Sequence, residues 1–261
     1  MSVSLATDLL TEADGPPVAV THPDASGSAL VVCEHAAHRL PARLGDLGLP
    51  PDLRSAHIAW DPGALGVAEG LAAALDAPLV AARFSRLAYD CNRPPEAPDA
   101  IAARSEVFDI PGNAGLNDAE RAARAATFYH PFRATLSGLI GRRLAAGRAV
   151  ALVTVHSFTP VFMGQPRTVE IGVLHDADNR LADRLLARLA AAGRWQVARN
   201  APYGPEDGVT HTLRDQALPR GLLNVMLEIR NDLIATPAAQ AEMAAALAAH
   251  LAPALTAPEA A

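Results

Sequence analysis

The sequence predicts an α/β protein, a three-layer α/β/α sandwich around a mostly parallel sheet. Three observations lead there. Short apolar, β-branched runs alternate with stretches of helical periodicity. No composition break and no internal repeat divides the 261 residues, so a single domain over 1–261 is expected. Half of the residues are hydrophobic and 19% are charged, enough for a sizeable core without disulfides.

The elements follow in chain order. Residues 1–27 are polar and rich in Pro and Gly, and read as a lead-in. SALVVCE at 28–34 is a short buried-strand run. Residues 62–75 have helical patterning, with Pro62 early, where a helix tolerates it. PLVAARFSR at 78–86 is the second strand. Residues 93–115 are irregular, a loop length usually tied to function. A long helix is expected over 117–146, with Asn117 and Glu120 spaced as a capping box. Strands follow at 149–158, 170–176, 195–199 and 223–231, with an amphipathic helix at 178–192. Thr236-Pro237 opens a last helix to about 251, and 252–261 reads as a frayed Ala/Pro tail.

Composition excludes several functions. Net charge is −6 and no basic run appears, which argues against nucleic-acid binding by counterion displacement. All 22 basic residues are Arg, so Schiff-base chemistry and a P-loop lysine are excluded. Cys33 and Cys91 are too few for a disulfide framework or a cysteine zinc site. No apolar stretch reaches the roughly 18 residues of a membrane span. The acidic N-terminus lacks a positive n-region, so a cytoplasmic protein is the expectation. G-x-S-x-G, G-x-G-x-x-G and H-E-x-x-H are all missing.

In open α/β sheets ligands bind beyond the carboxyl ends of the strands. Here those ends carry Glu34, His35 and His38; then Ser85, Arg86, Asp90, Asn92 and Arg93; then His156 and Ser157; then Glu228, Arg230 and Asp232. One histidine at a strand end is usually a satisfied core or surface residue. Two at equivalent ends, His35 and His156, favour metal ligation, because imidazole is the commonest metal ligand. Asp61 in HIAWDPGA is either a third ligand or the N-cap of the following helix, and His38 and His57 are further candidates. Glu228 in MLEIRND is costly on a buried strand unless it pairs with an arginine or acts as a general base on a metal-bound water. Arg86, Arg93 and Arg230 suit carboxylate recognition, with Asn92 beside them. Asp90 suits orienting an arginine, Tyr203 a loop contact to substrate, and His130 helix packing.

The blocks VVCEHAAHRLP, HIAWDPGA, SRLAYDCNRPP, VHSFTPV and GLLNVMLEIRNDLI resemble those of the N-formylglutamate amidohydrolase family, in order, over roughly 28–250. The family is related to zinc carboxypeptidases and aspartoacylase-like amidohydrolases. The resemblance implies their α/β/α fold around a central mixed sheet, with one zinc ion at its C-terminal edge. It implies His35 and His156 as ligands, with Asp61 preferred to His38 as the third. Where carboxypeptidase-like relatives have a Glu three residues after the first His, this chain has His38. It implies Glu228 as the catalytic glutamate, and Asn92, Arg93 and Arg86 as contacts to a substrate carboxylate. The expected reaction is hydrolysis of a small anionic N-acyl amino acid, N-formyl-L-glutamate first, to formate and glutamate in amino-acid degradation. The alternatives are another N-acyl amino acid, a non-catalytic anion-binding relative, or a redox protein using Cys33 and Cys91.

Overall fold

The computed structural model describes residues 9–256. Seven strands form one sheet: β1 (Val18–Thr21), β2 (Ala29–Cys33), β3 (Leu79–Ala82), β4 (Ala151–Phe158), β5 (Ile171–Leu174), β6 (Val197–Arg199) and β7 (Leu223–Arg230), in the order β1-β3-β2-β4-β7-β5-β6. β3, β2, β4 and β7 run parallel, while β1 lies antiparallel to β3. β5 lies antiparallel to β7, and β6 runs parallel with β5. The sheet is therefore mixed and mostly parallel, as the sequence predicts.

The predicted strands reduce to shorter cores of the same runs, and the amphipathic helix at 178–192 forms as Arg180–Ala192. One strand was not expected. β1 lies inside the stretch read as lead-in, because a four-residue edge strand, partly exposed and flanked by Pro and Gly, leaves little periodic signal. Residues 1–8 of that stretch lie outside the described residues, as do 257–261 of the tail.

Helices cover both faces. They are α1 (Pro51–Ser55), α2 (Ala64–Ala74), α3 (Asp118–Arg124), α4 (His130–Ala145), α5 (Arg180–Ala192) and α6 (Pro237–Thr256). Odd-numbered residues of the central strands, such as Val31, Val153 and Leu227, pack with Leu71 of α2, Leu185 of α5 and Leu247 of α6. Even-numbered ones, such as Val32, Leu152 and Met226, pack with Phe132, Leu136 and Leu139 of α4. Alternation along each strand thus assigns each residue to a layer.

The helix expected over 117–146 begins as read. Asn117 accepts from the Glu120 backbone, and Glu120 accepts from that of Asn117. A π turn at Ala125–Tyr129 then separates α3 from α4. Pro131 has no N–H for the carbonyl four residues back, and the π turn shifts the ladder around that gap. α6 passes Pro253 to Thr256, so the tail is helical at residues expected to fray.

α2 starts later than expected. Its cap is Gly63, at φ 82°, and Pro62 lies before it. A Cβ at Gly63 would fall 2.4 Å from the Ile234 carbonyl oxygen. Gly63→Ala should therefore lose at least about 2 kcal/mol from backbone strain alone. It should also lower metal content, because Asp61 lies two residues away. Thermal unfolding together with metal analysis checks both, and an unchanged melting temperature contradicts the steric argument.

Candidate metal centre and catalytic cleft

The four parallel strands end on one side, and their exits bring the reactive groups together. Glu34 and His35 leave the end of β2. On β4 and β7, His156 and Glu228 are register partners. Asp61 arrives from the loop before α2 and is fixed by its own backbone: its N–H donates to the His35 carbonyl at 3.0 Å, and its carbonyl accepts from Ala64 at 3.1 Å. The cap is Gly63, so the Asp61 side chain is not spent on the helix. Its Oδ2 instead accepts from the Ser157 backbone N–H at 3.3 Å.

Three ligand-type atoms converge. His35 Nδ1 and His156 Nδ1 lie 3.1 and 2.9 Å from Asp61 Oδ2, and 3.2 Å from each other. All three residues are buried, and among the described residues they form the one group of this kind able to hold a metal ion. The outer nitrogen of each ring faces another carboxylate. His35 Nε2 is 2.8 Å from Asp90 Oδ1, and His156 Nε2 is 3.2 Å from Glu34 Oε2. Asp90 also accepts from the Asn92 N–H and the Arg86 guanidinium, so it is an ionised acceptor. The outer nitrogens then carry the protons, and neutral rings turn lone pairs toward Asp61. Three lone pairs this close repel unless a cation joins them. Ligand atoms around a tetrahedral zinc stand about 3.3 Å apart, and the observed separations fit that. Carboxylates behind metal-bound histidines set their tautomer and basicity.

Without a metal, protons take the place of the cation at this cluster. Burial opposes ionisation of His156, but Glu34 and Asp61 outweigh it and raise its pKa well above the ordinary histidine value. His35 is raised in the same sense, because Asp90 and Asp61 outweigh burial and Arg86. Burial also opposes the charge on Asp61, yet the two histidines hold it below the usual carboxylate range. Burial opposes the charge on Glu34 as well, yet His156 beside it holds that carboxyl below its ordinary value. Asp90→Asn or Glu34→Gln should weaken metal binding roughly 10–100-fold with little change in fold. Chelator competition measures this, and wild-type affinity in both variants contradicts the assignment of the outer carboxylates.

The cluster opens on a cavity of about 450 Å³. Glu228 lines it, with Oε2 buried and unpartnered. Burial pushes its carboxyl up to about 7, against the pull of His156. Arg86, Asn92, Arg93 and Tyr203 line the same cavity, as do His57, Arg104 and Glu106. Arg86 Nη2 bonds Asp90 at 2.6 Å, and Nη1 lies 3.6 Å from Asp61. The Asn92 amide is committed within the chain: Nδ2 donates to the Val209 carbonyl, and Oδ1 accepts from the Thr212 N–H and hydroxyl. Arg93 pairs with Asp99 at 2.7 Å and donates to the Gly208 carbonyl at 3.2 Å. This pair, expected on a substrate carboxylate, braces the 207–212 segment of the wall.

Other candidates lie apart. Arg230 does not line the cavity and pairs with Asp232 and Glu170. His38 is exposed and packs on Trp60, and His57 bonds Glu106 at 2.6 Å. Neither joins the cluster, which leaves Asp61 as the third convergent group. Cys33 and Cys91 pack in opposite layers, and burial raises both thiols well above their ordinary value, which disfavours redox chemistry. Sequence reasoning left the partners of Glu34 unassigned and did not single out Arg167, which packs on the cavity residues Phe162 and Tyr203. Arg167 follows a Gly-Gln-Pro turn with no motif around it.

A buried His-Asp-His group able to hold a metal, at the carboxyl edge of a mixed α/β sheet, defines the class of this protein. Residues 27–235 match the model of the N-formylglutamate amidohydrolase family, and the chain belongs to that family of amide-bond hydrolases. Gene product Atu2144 from Agrobacterium tumefaciens is 55% identical, with a TM-score of 0.94 over 95% of this chain and 98% of that one. N-formylglutamate amidohydrolase from Ralstonia eutropha JMP134 shares the fold at 20% identity, with a TM-score of 0.63 over 91% of this chain and 97% of that one. No curated protein sequence matches the chain. No described helix is long and apolar enough to cross a membrane.

Proposed function

We propose that the protein is a zinc-dependent hydrolase of N-acyl amino acids, with N-formyl-L-glutamate the preferred substrate and formate and L-glutamate the products. The observation that carries this reading is the convergence of His35, Asp61 and His156 beside the unpartnered carboxylate of Glu228. Two histidines and one carboxylate leave a coordination position open, as catalytic zinc sites do. A bound zinc ion supplies Lewis acidity, which acidifies water and polarises the acyl carbonyl.

The chain supplies the rest. Glu228 takes the proton of the attacking water and delivers it to the departing amide nitrogen. Its burial keeps it free of competing partners within the cavity wall. Arg86, the cavity arginine nearest the cluster, holds the α-carboxylate and offsets charge developing at the amide oxygen. Asn92 and Arg93 act on substrate through the wall segment they brace. The expected partner is therefore a small anionic metabolite, and a cytoplasmic setting fits that role.

Formate release from N-formyl-L-glutamate by purified, zinc-loaded protein tests the reading. The expected result is one formate per glutamate formed. No formate from protein holding stoichiometric zinc would reject this substrate and direct the search to other acyl groups. No formate and no bound metal would favour the anion-binding alternative.

A further inference from the structure

A dicarboxylate substrate needs two cationic contacts, and each of the three arginines that line the cavity already holds an acid. Arg86 pairs with Asp90 and lies near Asp61, Arg93 pairs with Asp99, and Arg104 pairs with Asp109. Arg167 differs. Among the described residues it has no carboxylate partner, and its guanidinium donates only to the Thr159 carbonyl at 3.4 Å and to the Tyr203 hydroxyl at 2.9 Å. Its central carbon stands 4.4 Å from the Phe162 ring centroid, 4.8 Å from that of Tyr203 and 5.5 Å from that of Phe158. All four of these neighbours line the cavity.

We infer that Arg167 and Tyr203 form a second carboxylate subsite, which receives the side-chain carboxylate of an acidic N-acyl amino acid. The inference rests on the proposed hydrolase reading. Aromatic faces orient a guanidinium without neutralising it, so Arg167 is held in place with its charge uncompensated. The Tyr203 hydroxyl accepts from Arg167, which leaves its own proton to donate. Burial raises the pKa of that phenol, so it remains a donor at neutral pH. Position separates the two subsites. Arg86 lies against the metal cluster, within reach of a carboxylate next to the scissile amide. Arg167 follows the hairpin formed by Val161–Phe162 and Gln165–Pro166, and the Tyr203 it holds lines the same cavity as Arg86.

Binding of glutarate and of butyrate to the zinc-loaded protein, followed by calorimetry, tests this without turnover. The wild type should bind glutarate at least roughly tenfold more tightly than butyrate, and Arg167→Gln should remove that difference while leaving butyrate affinity and zinc content unchanged. Tyr203→Phe, which keeps the ring, should remove part of it. If Arg167→Gln fails to fold, Arg167→Lys, with charge but no fork, should lie between. A wild type without glutarate preference, or variants that keep it in full, would overturn the subsite. Absence of formate release alongside a glutarate preference that depends on Arg167 would instead reject N-formyl-L-glutamate as the substrate and leave the subsite standing.

Discussion

Glu228→Gln should lower kcat for N-formyl-L-glutamate roughly 10²–10⁴-fold, the usual worth of a positioned general base. Zinc should stay stoichiometric, because Glu228 is not one of the three convergent groups. The melting temperature should hold or rise, since the variant removes a buried carboxylate with an unpartnered oxygen. The pH profile distinguishes a base from a packing residue. A base is inactive when protonated, so wild-type activity should fall as pH falls through its pKa. Burial, against the pull of His156, places that carboxyl at about 7 in the metal-free protein. A cation at the neighbouring cluster favours the charged form, so the acid limb in the zinc enzyme should lie below that value. The variant should lack this limb. Retained turnover at more than a tenth of wild type would remove Glu228 from its assigned role.

Chelation should abolish formate release, and zinc should restore it. The argument is electrostatic before it is chemical: His35 Nδ1, His156 Nδ1 and Asp61 Oδ2 stand within 3.2 Å of one another, and only a cation reconciles them when the rings are neutral. Both histidines have raised pKa values in the metal-free state, so protons compete with the metal. Zinc affinity should therefore fall as pH is lowered, and binding should release protons, visible as a buffer-dependent heat. Asp61→Ala should lose metal binding altogether and place two imidazoles side by side without their shared acceptor. Full activity after exhaustive chelation would exclude a metal mechanism.

Much of the fold was readable because buried strands and amphipathic helices repeat with fixed periods. Six of the seven sheet strands coincide with apolar runs, and the Asn117 capping box marks the start of α3. β1 escaped, since its partial exposure leaves no buried run, and the π turn escaped because one residue, Pro131, produces it. In the cleft, His156 and Glu228 were legible because both are ionisable residues near the carboxyl ends of mostly apolar strands. Whether Asp61, His38 or His57 joined them depended on loop geometry that spacing does not encode. The engagement of Asn92 and Arg93 with the 207–212 segment, and the isolation of Arg167 from acids, are tertiary facts. Pairing across more than a hundred residues leaves no local pattern.

The pairing of His156 with Glu228 across β4 and β7 has a consequence for how such a protein diversifies. Both side chains are held on hydrogen-bonded central strands of the sheet, whereas much of the outer wall is formed by the segments around Arg104, Phe162 and Tyr203. Chemistry and selectivity therefore occupy separable parts of the chain. Exchanging those outer segments among relatives should redirect which amide is cleaved while the cleavage machinery passes unchanged, which makes this scaffold a natural recipient for loop grafting.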